Sequence, residues 1–279
     1  MSYQAAREAE KLLAHNREVV VATITATEGS SPRHVGSFMV FSRSGKQWGT
    51  VGGGKVEAAV IEESRKAFET RKPQSDLHYD LRFCGENPLE MACGGACDVR
   101  IEYFDGKDGR KPHLPLPEPA TAYLFGAGHV NTALEPILRS VDFQTVVIDE
   151  RPEYADPARF PEAKKVVCVD SYEEAASSLQ PGVEDYVVIA TPGHSCDDAC
   201  LRGMLGKEFA YVGMIGSKNK VAYLFDQLRR EGCPEEQIAA VHSPIGEPIG
   251  SETPGEIAIS ITAQMVKVRS ARRNGRRVR

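Results

Sequence analysis

The chain has 279 residues, of which 41% are hydrophobic and 26% charged, and its formal net charge is -5 at pH 7. This length is enough for two domains that each bury a core of their own. The acidic balance argues against nucleic acid as a partner. Apolar runs are too short to span a membrane, and the first ten residues carry charges where a signal peptide would need an apolar core. We therefore expect a cytoplasmic protein with no membrane segment.

The first hundred residues mix helical and extended patterns. Two helices are predicted, over residues 3–16 and 55–70. Strands are predicted over Val19–Thr25 and 98–104, and Ser37–Phe41 with Gln47–Val51 should form a hairpin. This order indicates an α+β domain, which we place at residues 1–105.

Two loops of this domain are rich in glycine, hydroxyl groups and backbone donors. They contain Ser30, Ser31, Arg33 and His34 in the first loop, and Gly52, Gly53 and Gly54 in the second, which leads to Glu57. Such amide-lined loops suit an oxyanion, and Glu57 could either orient a ligand or cap the following helix. The alternative is ordinary turn chemistry, with glycine where φ is positive and Ser or Pro as loop residues.

Cys93 directly precedes Gly94 and Gly95, so free backbone N–H groups lie beside its thiol. If these groups converge on the sulfur, they should lower its pKa. Such a thiol could ligate a metal, carry sulfur or act as a nucleophile. The neighbouring Cys84 and Cys97 do not complete the paired spacing of a structural zinc site, and we expect both to be small packing residues.

A proline-rich stretch at residues 106–119 is typical of a semi-rigid linker and separates a second domain, which we place at residues 120–279. This domain begins with a short apolar strand that ends at Phe125. Gly126 and Gly128 then allow a tight turn that a phosphate can approach closely, and a helix starts at His129. A second strand ends at Asp149, about twenty residues on, where a Rossmann unit places a carboxylate that accepts from a ribose hydroxyl.

Asn131 stands where the third glycine of this fingerprint belongs. Either the helix stands off from the strand, or the Asn131 side chain points away from it. A Rossmann scaffold that carries another ligand, or none, is the alternative to dinucleotide binding.

Further strands are predicted over Lys165–Val169, 185–190 and 209–215, which completes a Rossmann-like, doubly wound parallel sheet. Ligands of such folds lie outside the carboxyl ends of the strands, so Thr191 and His194 should face the same crevice as Gly128. We expect the next helix to begin near Asp197 and Asp198, one of which would be its N-cap. A closing helix should begin at Pro254, with Thr253 and Glu256 as a capping box.

Taken in order, these motifs resemble the xanthine dehydrogenase accessory protein family (XdhC/CoxI). The resemblance runs nearly end to end. It rests on Glu28-Gly-Ser-Ser-Pro-Arg33 with Gly36, Gly52-Gly-Gly-Lys-Val-Glu57, Cys93-Gly-Gly95, Phe125-Gly-Ala-Gly-His-Val130, Asp149 with Arg151-Pro152, Gly213-Met-Ile-Gly-Ser217, and Pro244-Ile-Gly246 with Pro254 to Ala258.

The resemblance implies a chaperone rather than an enzyme in its own right. Members similar to this chain bind the molybdenum cofactor, a molybdopterin that can carry a nucleotide. They assist its sulfuration with a cysteine desulfurase partner and insert it into a molybdenum hydroxylase apoenzyme. On this basis Cys93 is expected to ligate molybdenum, and a homodimer is expected. The other predicted cofactor-binding residues are Ser30, Ser31, Arg33, Gly53, Gly54, Glu57, Gly94, Gly95, Gly126, Gly128, His129, Asp149 and His194.

Two other functions fit the same motifs. One is an oxidoreductase that depends on NAD(P) or FAD, with Gly126, Gly128 and Asp149 on the cofactor and His129 or His194 as acid or base. The other is a nucleotide-sensing interaction module.

Overall fold

The computed structural model describes residues 2–29, 33–81, 95–114 and 119–273. The chain divides into two compact units, Met1–Glu118 and Pro119–Arg279. The first unit contains a five-stranded sheet and the second a six-stranded sheet. Within the described ranges, no helix is both long enough and apolar enough to cross a membrane.

The first unit has the predicted α+β character, since all strand pairs of its sheet are antiparallel. The strands lie in the order β3-β2-β1-β5-β4. Its elements are α1 (Ser2–Ala14), β1 (Val19–Glu28), β2 (Phe38–Ser42), β3 (Gln47–Gly49), α2 (Gly54–Thr70), β4 (Gln74–Asp80) and β5 (Ala96–Phe104). Our sequence prediction missed β4, because this edge strand is largely polar and alternates between exposed and half-buried positions.

The central strand β1 packs on both of its faces. Val20 and Ile24 point into the core that includes Val60 of α2, whereas Val21 belongs to the core that includes Ala9 of α1. This alternation follows from the two-residue period of a strand. The sheet of the first unit is therefore covered by α2 on one face and by α1 on the other.

The second unit is a doubly wound parallel sheet, as predicted. Its elements are β6 (Thr121–Phe125), α3 (His129–Ser140), β7 (Gln144–Asp149), β8 (Lys165–Cys168), α4 (Tyr172–Ser178), β9 (Tyr186–Ile189), α5 (His194–Met204), β10 (Tyr211–Met214), α6 (Lys218–Arg230), α7 (Glu235–Ala239), β11 (Val241–His242) and α8 (Pro254–Arg273). The strand order is β11-β10-β9-β6-β7-β8. The chain runs outward from β6 to β8 and then outward from β9 to β11, so its direction reverses between β6 and β9. This reversal is the topological switch point at which such folds bind ligands.

The start of α8 confirms the predicted capping box. The Thr253 hydroxyl accepts from the Glu256 N–H at 3.3 Å, and the Glu256 carboxylate accepts from the Thr253 N–H at 2.9 Å. Along this helix Ile261 and Met265 are fully buried within the unit, while Ile259 is 54% exposed. Most of the apolar stripe on α8 is thus used inside the second unit, and the expected homodimer stays a prediction.

Asn131 occupies the position where a Rossmann fingerprint has its third glycine, and its side chain is completely buried. Its Nδ2 donates to the carbonyl oxygens of Phe125 at 3.0 Å and Gly126 at 2.7 Å. The alternative in which this side chain points away from the strand is therefore wrong. The amide turns toward the end of β6 because carbonyl groups there need donors when they are buried.

Replacing Asn131 with leucine should lower the free energy of unfolding of the second unit by about 1–3 kcal/mol, because a donor to two carbonyl groups is lost. Urea unfolding followed by circular dichroism measures the effect. The fluorescence of Trp48, the single tryptophan of the chain, reports the first unit separately. Ser140→Ala, at the exposed end of the same helix, serves as the control. If Asn131→Leu unfolds at the same urea concentration as Ser140→Ala, the role given to the Asn131 amide is contradicted.

Candidate functional site

The candidate site lies where the carboxyl ends of β6 and β9 meet. The two strands are paired, with Phe125 opposite Ile189. Just beyond them, the N–H of Ala190 donates to the carbonyl of Phe125 at 3.0 Å. The loop that contains Gly126 and Gly128 is therefore held directly against the loop that leads to α5, at the switch point of the sheet.

The two glycines of the first loop have different functions. Gly126 has φ +92°, and a Cβ atom there would overlap the carbonyl oxygen of Ala190. Gly128 has φ -76°, which any residue can adopt, and a Cβ atom there would meet nothing within 4 Å. Gly126 is thus required by the fold, whereas Gly128 leaves an open approach to the start of α3. No side chain caps α3 at this N-cap position, so its first N–H groups remain available to an anion.

Asp149 does not present its carboxylate to the crevice. The residue is completely buried. One carboxylate oxygen accepts from the Ala127 N–H at 2.6 Å and from Arg151 Nη2 at 2.8 Å, and the other accepts from the N–H and Nε of Arg151, both at 2.9 Å. In this structure Asp149 holds the glycine loop and Arg151, and the predicted contact with a ribose hydroxyl would require these bonds to open.

Two opposing effects set the pKa of Asp149. Burial raises it, but the hydrogen bonds from Arg151 and from the Ala127 N–H together outweigh burial and lower the pKa below its ordinary value. The carboxylate is therefore ionised at neutral pH and contributes a fixed negative charge that Arg151 compensates.

Two arginine side chains pack on the ring of Tyr154. The Arg151 guanidinium lies 3.6 Å from the centre of the Tyr154 ring, and that of Arg159 lies 4.9 Å from the same ring. Arg159 also donates to the hydroxyl of Thr132, in the first turn of α3, at 3.1 Å. Our sequence prediction did not include Arg159, because the contact joins segments that are far apart in the chain.

The loop after β9 differs from the prediction. Helix α5 begins at His194 with Gly193 as its N-cap, not near Asp197. Asp197 is nearly buried, and its carboxylate accepts from the Thr191 N–H at 2.9 Å and the Thr191 hydroxyl at 2.6 Å. Because this carboxylate binds the loop instead of capping a helix, the helix can start one turn earlier. Burial raises the pKa of Asp197, although the bonds from Thr191 oppose that rise.

His194 contacts helix α6, which follows strand β10. Its Nε2 is in close contact with Nζ of Lys220, which lies in the first turn of α6. His129, the first residue of α3, is exposed. The loops after β6 and β9 are adjacent as expected, but the His194 ring is engaged by Lys220, a residue that we did not include in the predicted site.

In the first unit, the second predicted loop shows the geometry of a turn. Gly53 and Gly54 have φ of +77° and +62°. The Glu57 carboxylate accepts from the Gly53 N–H at 3.0 Å and from the Thr50 hydroxyl at 2.6 Å. These hydrogen bonds close the turn before α2. The geometry of Glu57 therefore fits the alternative in which it caps the following helix.

The remaining predicted residues of the first unit are only partly described. Arg33 is exposed, and Gly95 accepts from the Leu81 N–H at 2.9 Å. Cys97 is buried as predicted, and burial raises the pKa of its thiol. Ser30, Ser31, Cys84, Cys93 and Gly94 lie outside the described residues. Among the residues that are described, no group of three or more His, Cys, Asp or Glu could hold a metal ion.

Comparison with known families identifies the chain. Residues 122–265 match the model of the XdhC Rossmann domain, and residues 12–80 match that of the XdhC and CoxI family. The chain belongs to the XdhC and CoxI family. This assignment confirms the resemblance to the xanthine dehydrogenase accessory proteins and places the family's Rossmann domain on the parallel sheet.

Two relatives of this XdhC-family chain carry quite different names. The uncharacterized protein YqeB of Escherichia coli strain K12 is 35% identical over 263 residues, which cover 94% of this chain and 46% of YqeB. The chain thus spans about half the length of that relative. A Bacillus subtilis strain 168 protein, named as a probable subunit of xanthine dehydrogenase, is 25% identical over 328 residues, with 93% of this chain and 96% of that protein covered.

A solved structure supports the fold. A Bacillus halodurans protein described as a xanthine dehydrogenase matches with a TM-score of 0.76 at 24% identity, and the match covers 96% of both chains. At this level of identity the similarity shows that the two proteins share a fold.

Gly126→Ala and Gly128→Ala form a matched pair that separates folding from ligand access. The first should lower the free energy of unfolding of the second unit by about 2 kcal/mol or more, because it combines a left-handed backbone with an overlap on Ala190. Gly128→Ala should change the free energy of unfolding of the second unit by no more than about 0.5 kcal/mol. Urea unfolding of both variants tests this pair. Equal stabilities of the two variants would show that the close approach at Gly126 is not required.

Replacing Arg151 with glutamine should destabilise the second unit by about 1–3 kcal/mol at pH 7, because the buried Asp149 carboxylate loses charged donors. The pKa of Asp149 is lowered in the folded state, so its contribution to stability is present above the ordinary value of 3.8 and is lost as the pH falls below it. Since burial persists in the variant, the pKa of Asp149 should rise there. The difference in the free energy of unfolding between wild type and variant should therefore become smaller below about pH 4.

Urea midpoints from pH 7 to pH 3 measure this difference. Arg229→Gln, which removes the same charge from the exposed pair with Glu235, is the control and should change the midpoint little at any pH. A difference between wild type and Arg151→Gln that stays constant over the whole range would show that Asp149 is not responsible.

Proposed function

We propose that this XdhC-family chain is an accessory protein that binds the molybdenum cofactor, assists its sulfuration and delivers it to a xanthine-dehydrogenase-type molybdenum hydroxylase. In this proposal the chain has no catalytic turnover of its own. Its partners are the hydroxylase apoenzyme and a cysteine desulfurase, and it acts as a homodimer in the cytoplasm. Family membership supports the role, and so does the name of the Bacillus subtilis relative, a probable xanthine dehydrogenase component.

The observation that carries the proposal is the open, amide-lined approach at Gly128. The cofactor is a phosphate ester, and a phosphate is stabilised by the free N–H groups and positive end of a helix dipole. The glycine loop places the N-terminus of the twelve-residue helix α3 at the switch point without a side-chain cap. The residues present therefore fit the phosphate of the cofactor, which Gly128 and His129 would hold.

The remaining proposed contacts rest on the family resemblance. Cys93, outside the described residues, is the proposed molybdenum ligand, and Ser30, Ser31 and Arg33 are proposed to bind the pterin or its phosphate. When bound, the cofactor would supply the molybdenum centre of the receiving hydroxylase. This chain's own residues would bind and orient it.

The competing proposal is an oxidoreductase that depends on NAD(P) or FAD. The geometry of Asp149 argues against it, because both oxygens of that carboxylate already accept hydrogen bonds from Ala127 and Arg151. A ribose hydroxyl would have to displace these charge-assisted bonds, each of which contributes about 1.5–3 kcal/mol.

Expression in a host that makes the molybdenum cofactor tests the proposed function. The purified chain should retain molybdenum and a fluorescent pterin, and Cys93→Ser should lose most of the metal while circular dichroism stays unchanged. Cys168→Ser, which changes an exposed thiol in the second unit, should retain both. Gly128→Ala should reduce retention of the pterin.

A thermal-shift titration with NAD, NADP and FAD distinguishes the competing function, because a ligand that binds only the folded state raises its stability. No shift with these dinucleotides is expected. A clear rise in melting temperature with one of them, in a preparation that contains neither molybdenum nor pterin, would contradict the chaperone proposal and favour the oxidoreductase.

A further inference from the structure

A cavity lies beyond the carboxyl ends of β9 and β10, between α5 and α6. Its volume is about 420 Å³, within the range of small-molecule sites. Side chains from both helices and from the segment after β10 line it, among them His194, Asp197, Ile215, Lys220, Tyr223 and Leu224. The cavity is formed by elements other than the glycine loop after β6, and among the predicted cofactor-binding residues only His194 lines it.

The charge of Lys220 is available to a ligand in this cavity. Lys220 Nζ contacts His194 Nε2, and an ammonium group can only donate, so Nε2 is the acceptor in this contact. In the part of the chain that the structure describes, Lys220 takes part in no salt bridge. An anion could therefore accept from Lys220 without displacing a carboxylate.

The two carboxylates that line the cavity are bonded to other partners. Asp197 accepts from the N–H and hydroxyl of Thr191. Asp198 accepts from Arg202 Nε at 2.8 Å. Each carboxylate therefore has a donor of its own, and the positive charge of Lys220 also opposes the rise in the pKa of Asp197.

The backbone adds to this positive character. Helix α5 has 11 residues and α6 has 13, and neither N-cap, Gly193 or Ser217, makes a side-chain cap hydrogen bond. Residues in the first turn of each helix, including Ser195 and Asn219, line the cavity. Two helix N-termini next to a lysine stabilise negative charge in the same place.

Apolar side chains also line the cavity. Ile215 and Leu224 are half-buried, and Tyr223 is 74% exposed at the cavity although it is a large aromatic side chain. An exposed aromatic ring beside aliphatic side chains offers a surface on which a planar heterocycle can stack. A ligand that satisfies both the positive and the apolar groups carries a phosphate and a flat ring.

We propose that this cavity binds a phosphate monoester of a planar heterocycle, of which a 5′-mononucleotide is the simplest example. Lys220 and the N–H groups at the start of α5 and α6 bind the phosphate, and Nδ1 of His194 is a further donor to it. Tyr223 and Leu224 contact the ring. The site does not depend on molybdenum, so it can be present even where the proposed cofactor function fails.

Calorimetric titration of the full chain with AMP tests the site, with inorganic phosphate and adenosine as the two halves of the probe. AMP should bind saturably and more tightly than either half. Lys220→Gln should weaken AMP binding about tenfold, because a charge-assisted contact is lost. Lys218→Gln, on the same helix but not lining the cavity, should change it less than about twofold. Tyr223→Ser should weaken AMP but leave inorganic phosphate unchanged.

A measurement on the unmodified chain covers the case in which a variant does not fold. The ring signals of His194 in a nitrogen-15 NMR spectrum should move on addition of AMP. The proposal is overturned if AMP does not bind, if Lys220→Gln binds it as well as Lys218→Gln does, or if the His194 signals stay in place. Loss of AMP binding in Gly128→Ala but not in Lys220→Gln would likewise overturn it, because the ligand would then lie at the glycine loop.

Discussion

The carboxyl edge of the parallel sheet depends on one buried, ionised carboxylate. Removing an ion from water costs several kcal/mol even after the protein relaxes. Four hydrogen bonds to the Asp149 carboxylate offset this desolvation free energy, three of them from Arg151 and one from the Ala127 N–H. The same bonds join the loop after β6 to the loop after β7. The position of the glycine loop, and with it the start of α3, therefore follows from how Asp149 is neutralised.

This arrangement changes what the sheet edge can bind. In a dinucleotide-binding unit the acidic residue at the end of the second strand recognises a ribose. Here that residue is enclosed, and the edge offers backbone N–H groups, His194 and Lys220 instead. The site is therefore suited to the anionic part of a ligand more than to its sugar. That character agrees with the proposed binding of a phosphate ester.

The sequence-based predictions were most accurate where the signal is local. The strand, glycine turn and helix from Thr121 onward were predicted correctly because apolar runs and glycines report directly on backbone conformation. The capping box of α8 was predicted because Thr253 and Glu256 are only three residues apart. The edge strand β4 was missed, because a strand with one exposed face and polar residues lacks the apolar pattern of a central strand. The start of α5 was placed too late, because Asp197 looked like a cap but binds Thr191.

The sequence alone was thus sufficient to determine the family, the doubly wound fold and the glycines at the switch point, since these depend on residue order and local conformation. Only the tertiary structure decided which groups the polar side chains bind. Asp149 could have faced a ribose and instead holds Arg151, Asn131 turns toward β6, and Lys220 meets His194 across 26 positions of the chain. Such pairings are set by how helices and strands pack in three dimensions, and short-range sequence patterns do not record that packing.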